Sequence, residues 1–260
     1  MEIQRDANSG RAQPHVERDT LNGMPFDSVT ELVSAAARNN AEWCDTVCRS
    51  HGVGGTFGVG LWSNAVRTPS LYPDAVTLDP AVTAAAVLEV DTSPGCSIKD
   101  SFATLELASH GFEVLFDAMW ITRPAGARKE TTGPIEWVSV SDPARFREWE
   151  RARRGADVDA AGILMPSLLS ETSVDVLAGK RNGVLVAGAI ANRSDRVLGI
   201  SNVFSVDPDI GETWSSLRDW IARTDPGRAI VGYESGPDLE AAIAAGFTAL
   251  GPLRVWFRPL

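Results

Sequence analysis

Histidine and tyrosine are scarce in this chain, with three and two residues in 260. His51 and His110 stand isolated, and no Ser/His/Asp or Cys/His spacing occurs, so nucleophilic hydrolysis has no support. Cysteine is equally sparse: three residues cannot close a disulfide framework, and the odd count fits a reducing compartment. Cys44, Cys48 and His51 follow one helix face, but a structural zinc site takes four ligands and no fourth is apparent. They read as buried thiols, and no metal is expected. No stretch approaches the ~18 consecutive apolar residues of a membrane span, and the opening MEIQRDANSGRAQPHVERD lacks the basic-then-apolar order of a secretory signal. A cytoplasmic protein with no membrane partner is expected.

Positive charge is also in deficit. Lysine and arginine number 24 against 34 acids, for a net charge of −10 and a pI near 4.8. That balance repels a phosphate backbone, so nucleic acid is a disfavoured partner. The one basic cluster, Arg145, Arg147, Arg151, Arg153 and Arg154, is interleaved with Glu148 and Glu150 and reads as a solvated helix face; contact with a tRNA is the minor reading.

The chain does have a globular balance, 44% hydrophobic and 22% charged, at a length that favours two units. Residues 1–24 read as a polar disordered tail. Ser28 and Glu31 form a capping box ahead of Leu32, Ala36, Trp43 and Val47, and Gly52 ends that helix. LYPDAVTL reads as a strand. PAGARKETTGP has little to bury, which places a linker at 125–135 between units at 25–124 and 136–260. A second helix starts at Ser141 or Asp142, with Pro143 in its first turn and Phe146 and Trp149 facing inward.

From Val174 to Val206 three β-branched segments are separated by Asn182-Gly183 and by Asn192-Arg193-Ser194-Asp195, predicting an antiparallel meander. A helix over 213–223, strand AIVGYE, helix PDLEAAIAAG and strand LRVWF follow. The two units share a repeat. Gly111, Phe112, Leu115, Arg123 and Pro124 match Gly246, Phe247, Leu250, Arg258 and Pro259 at a constant offset, and Ser101–Leu105 matches Ser235–Leu239 after a one-residue shift. Both segments read as strand, helix, Gly-Phe, strand.

The order α, βββ, α, β, α, β with the GYESGPDLEAAIAAGFTALG ending resembles the GNAT (GCN5-related N-acetyltransferase) superfamily, and with the repeat the chain resembles its tandem type, similar to mycothiol synthase. The resemblance implies an α/β (α+β) fold of two GNAT-like domains, each a mixed, largely antiparallel sheet flanked by helices. It implies acyl transfer from an acyl-CoA cosubstrate to the amine of a small molecule. The family's donor loop falls on VFSVDPDIGETWSSL, where Val203, Ser205, Gly211, Thr213 and Ser215 are the candidates for contacting the donor. Gly211 alone of the family's loop pattern is kept, and Asp207, Asp209 and Glu212 stand where a pyrophosphate needs positive potential. A degenerate ligand- or partner-binding protein is therefore the alternative, and aminoacyl-tRNA-dependent transfer a minor one.

Arg49, Gly52 and Gly54 match the loop pattern literally, but at a helix end, and read as a C-cap. The family's tyrosine acid is replaced by Ala242, and by Leu107 in the first unit. Glu234, Tyr233 and Asn202 are the catalytic candidates, with Ser201 beside them: a buried Glu can take a proton from an amine, although a structural Glu at a strand end fits the same position. Lys99 and Asp100 match Tyr233 and Glu234. They read as a surface ion pair, with a carboxylate-bearing ligand as the alternative. Trp62, Trp120, Trp214 and Trp256 read mainly as core.

Overall fold

The computed structural model describes residues 21, 24–124, 126, 133–155, 162–206 and 209–260. Nearly all of the expected tail at 1–24 and most of the expected linker at 125–135 lie outside the described residues.

The first helix, α1 (Val29–Ser50), starts where its capping chemistry requires: the Ser28 hydroxyl accepts the Glu31 N–H at 3.1 Å, and the Glu31 carboxylate accepts the Asp27 N–H at 2.7 Å. Leu32, Ala36, Trp43 and Val47 are buried along one side of it. Gly52, at φ +78°, follows the C-cap His51 and donates its N–H to the Arg49 carbonyl at 2.9 Å. The Arg49-x-x-Gly-x-Gly match is thus a helix ending. Cys44, Cys48 and Cys96 are buried free thiols, and His51 Nε2 sits 2.7 Å from the Ile163 carbonyl oxygen. No helix among the described residues is long and apolar enough to cross a membrane.

The strands are β1 (Thr56–Phe57), β2 (Leu61–Ser63), β3 (Ala75–Thr77), β4 (Ser97–Asp100), β5 (Glu113–Arg123), β6 (Glu136–Ser139), β7 (Val174–Arg181), β8 (Val184–Arg193), β9 (Val197–Ser205), β10 (Ala229–Glu234) and β11 (Thr248–Phe257). They form one sheet in the order β1-β2-β3-β4-β11-β5-β10-β9-β8-β7-β6. The helices after α1 are α2 (Ala84–Val87), α3 (Pro143–Arg154), α4 (Ile210–Thr224) and α5 (Gly236–Ala244). The β7-β8-β9 meander follows the predicted segments, and Asn182 and Gly183 both take positive φ, 51° and 80°, as a two-residue I′ hairpin turn demands. Asp142, not Ser141, caps α3, accepting the N–H groups of Ala144 and Arg145 at 3.0 Å. A turn closed by the Tyr72 N–H on the Pro69 carbonyl takes up the start of LYPDAVTL, which shortens its strand to β3.

Strand alternation sorts side chains to two faces. Trp120, Val197, Val231 and Leu253 pack against Leu32, Val33 and Ala36 of α1. Ile121, Leu198, Ile200 and Ile230 pack on the other face against Trp214, Leu217 and Ile221 of α4 and Ala242 of α5. Each large apolar side chain so buried contributes about 1.5–3 kcal/mol. Trp62, Trp120, Trp214 and Trp256 all lie in this interior.

The two halves interleave. β5, from the first half, lies between β10 and β11 of the second, and β11 lies between β5 and β4 of the first. The repeat is symmetric about this exchange: Ala118 and Leu253, related by the repeat offset, face each other across β5 and β11. Trp120 pairs with Tyr233, and its counterpart Val255 pairs with Lys99. One expectation fails. Between β4 and β5 there is no helix, only bends and a 3-10 turn at Ala108–His110, because the Asp100 carboxylate captures the Leu105 N–H at 2.7 Å and Ala103 takes φ +50°.

Candidate active site between β9 and β10

β9 and β10 run parallel and pair through Ala229 with Val197, Ile230 with Leu198 and Val231 with Gly199. Beyond that point they part. At Gly232 the backbones still lie so close that a Cβ would sit 2.9 Å from the Ile200 carbonyl oxygen. On its other side β9 carries a bulge: Ser201 faces Ile190 and Phe204 faces Gly188, so three steps on β9 span two on β8. Asn202 absorbs the extra residue at φ +53°, a left-handed conformation that Asn tolerates better than most side chains. The bulge bends β9, and a wedge opens between it and the end of β10.

A cavity of about 260 Å³ occupies this place. Asn202, Val203, Tyr233 and Glu234 line it together with Lys99 and with Asn40 and Trp43 of α1. Glu234 is partly buried; loss of hydration, reinforced by the negative charge of Asp238, pushes its carboxyl from 4.5 up to about 8. Lys99 is 4% exposed. Its ammonium donates to Asn40 Oδ1 at 2.7 Å and to Tyr233 Oη at 3.0 Å, and lies 4.3 Å from the Tyr233 ring centroid. Burial works against the Lys99 charge, but Tyr233 and Cys44 nearby hold it above its ordinary pKa.

The surface ion pair expected at Lys99 and Asp100 is not formed. β4 is an interior strand with covered faces, so both residues are buried, on opposite sides of it. Arg153 also departs from the solvated face: its guanidinium makes two hydrogen bonds, 2.7 and 2.9 Å, to the buried Glu150, and it lines the cavity, whereas Arg145, Arg147 and Arg151 are exposed.

Of the donor-loop candidates, Val203 is on the cavity wall and Ser205 ends β9. Gly211 and Ser215 lie in the first turns of α4, partly exposed. Thr213 has no exposed surface: it shares the inward face of α4 with Ser216 and Leu217, so its hydroxyl is not presented to the wedge. The helix start is closed by its own acids. Asp209 Oδ1 accepts the Glu212 N–H at 3.0 Å, and Glu212 pairs with Arg181. Asp207 lies outside the described residues. Among the described residues no cluster of His, Cys, Asp and Glu is placed to hold a metal.

Sequence reasoning missed Asn40 and Tyr72. The periodicity of α1 marks an apolar face but not which part of it looks into a cavity. A signal was present for Tyr72: the chain has only two tyrosines, and both line this cavity.

No protein-family profile matches the chain, and no curated protein matches it in sequence. Solved structures do match. A GCN5-related N-acetyltransferase from Kribbella flavida aligns over 86% of this chain and 96% of its own, with a TM-score of 0.58 and 15% identity. The fold is that of the GCN5-related N-acetyltransferases. A structure assigned to the GNAT family from Novosphingobium aromaticivorans aligns over 86% of this chain and 99% of its own, with a TM-score of 0.54 and 12% identity. At that coverage the GNAT likeness takes in both interleaved halves, since neither alone makes up 86% of the chain. The wedge lies between two strands of the second half of that fold.

Proposed function

We propose that the protein is a GNAT-type N-acyltransferase, moving an acyl group from a CoA thioester to the amine of a small molecule. The observation that carries this reading is the wedge itself: parting parallel strands, a bulge at Asn202, and Glu234 with a carboxyl near 8 on the same cavity wall. In this reading the donor's pantetheine arm lies along Val203 and Ser205, and its phosphates reach Gly211 and Ser215 at the start of α4. The amine nitrogen attacks the thioester carbonyl while Glu234 takes its proton. Asn202 orients the carbonyl. The C–S bond then breaks, and Tyr233, its oxygen already engaged by the Lys99 ammonium, protonates the departing thiolate. The chain is organised as two GNAT-like halves, 25–124 and 136–260, joined through 125–135, each lending its last strand to the other.

A second reading has its own support. Asp209 and Glu212 at the start of α4 oppose a pyrophosphate, which favours a degenerate GNAT fold that binds a ligand in the wedge without transfer chemistry. Isothermal titration with acetyl-CoA and CoA separates the two. Micromolar binding that Gly211→Trp abolishes supports the transferase, whereas absence of binding at millimolar concentration supports the degenerate reading.

A further inference from the structure

The cavity at the wedge does not end there. A second, larger cavity of about 700 Å³ shares Leu71, Tyr72, Pro73, Lys99 and Tyr233 with it. β10 stops at Glu234, opposite Met119, while β5 and β11 continue past it. Their protruding side chains Leu115, Phe116, Val255 and Phe257 give the larger cavity an apolar wall. Leu115 and Phe116 are 56% and 39% exposed, in the stretch of β5 that β10 leaves without a neighbour.

The cations of the two cavities differ in one respect. Arg67 is paired with Asp74 at 2.6 Å, and Arg153 with Glu150 at 2.7 Å. Lys99 has no carboxylate at ion-pair distance among the described residues; its partners are the neutral Asn40 amide and the Tyr233 phenol. An ammonium carries three N–H donors, so one remains at the junction of the two spaces. A charge held out of water without a counter-ion is costly, and a ligand anion supplies the missing partner.

We propose that the ligand is an apolar amino carboxylate, whose carboxylate takes the remaining Lys99 hydrogen bond, whose side chain fills the larger cavity and whose amine faces Glu234. The fate of the amine rests on the acyltransferase reading; the mode of binding does not. The assignment follows from one cation lacking a carboxylate, one apolar space and one carboxyl group on a continuous wall.

The test is isothermal titration of the full chain, without acyl donor, using L-phenylalanine and L-leucine against phenethylamine and isoamylamine, which lack only the carboxylate. Each amino acid is expected to bind at least about tenfold more tightly than its amine. Lys99→Met is expected to erase that difference, with circular dichroism confirming the fold. Equal binding of acid and amine by the native protein overturns the proposal, as does absence of saturation by either amino acid at millimolar concentration, or an unchanged preference in Lys99→Met. Should that variant not fold, 3-phenylpropionate binding to the native chain decides: competition with phenylalanine is expected, and its absence overturns the proposal. Phenylalanine that binds in this pattern yet is never acylated would remove the transferase reading alone. Acylation of phenethylamine and phenylalanine with equal kcat/KM would remove this inference alone.

Discussion

Lys99 and Tyr233 stand at matching positions of the two repeated segments, and the ammonium of one donates to the phenol oxygen of the other at 3.0 Å. The contact exists because β5 and β11 exchange places, which brings the ends of β4 and β10 to the same side of the sheet. A surface pair would contribute little; here the ammonium is almost wholly enclosed.

Removing the phenol oxygen leaves Lys99 donating to Asn40 Oδ1. Tyr233→Phe is expected to cost about 1–3 kcal/mol in urea unfolding, the penalty of an orphaned buried donor. Lys99→Met should cost less, or stabilise, since it removes the charge with its need for a partner. The double variant should resemble Lys99→Met.

Glu234 makes stability depend on pH. Its carboxyl is raised in the fold from 4.5 to about 8, so between those values the folded state holds a proton that the unfolded chain has lost. Stability from this group is fully present below about pH 4.5 and declines as pH rises through 8. Glu234→Gln should flatten that decline, seen as a smaller drop in Tm between acidic and alkaline buffer. Asp238→Asn should lower the Glu234 pKa and shift the decline to lower pH.

Gly199 marks the last rung before the strands part. A Cβ there would overlap the side-chain oxygens of Asn39 and Asn192, which tie α1 to β8 through two amide hydrogen bonds of 3.0 Å. Gly199→Ala is expected to destabilise by about 3 kcal/mol, the upper part of the usual overpacking range. A fall in the denaturant midpoint checks it.

The acids at the start of α4 should weaken any polyanion bound there. Glu212→Gln, or Asp209→Ser with its cap retained, is expected to improve affinity for CoA by about 0.3–1 kcal/mol each, with the gain shrinking in high salt. Titration at two ionic strengths measures it.

Local patterns carried much of the second half. Ser28 with Glu31, Asn182-Gly183 and the β-branched runs of the meander each specify their element through contacts a few residues apart. The order of elements put Tyr233 and Glu234 at the end of one strand and Asn202 on the adjacent one, and that placement, though not any role, was legible. The interleaving was not legible: Gly111-Phe112 and Gly246-Phe247 mark equivalent strands, yet nothing local says that each strand crosses into the other half. The depth of Lys99 followed from that crossing and was misread with it. Thr213 was misjudged because a loop match ignores which way a helix turns its side chains.

The central claim is that the wedge performs acyl transfer with Glu234 as base. Thiol release from acetyl-CoA, followed in the presence of mixed primary amines from about pH 6 to about pH 9, tests it most directly. The account predicts amine-dependent release that rises with an apparent pKa near 8, the value Glu234 takes in the fold, and that loses this rise in Glu234→Gln. Release that is absent, or that keeps the same pH profile in Glu234→Gln, would contradict it.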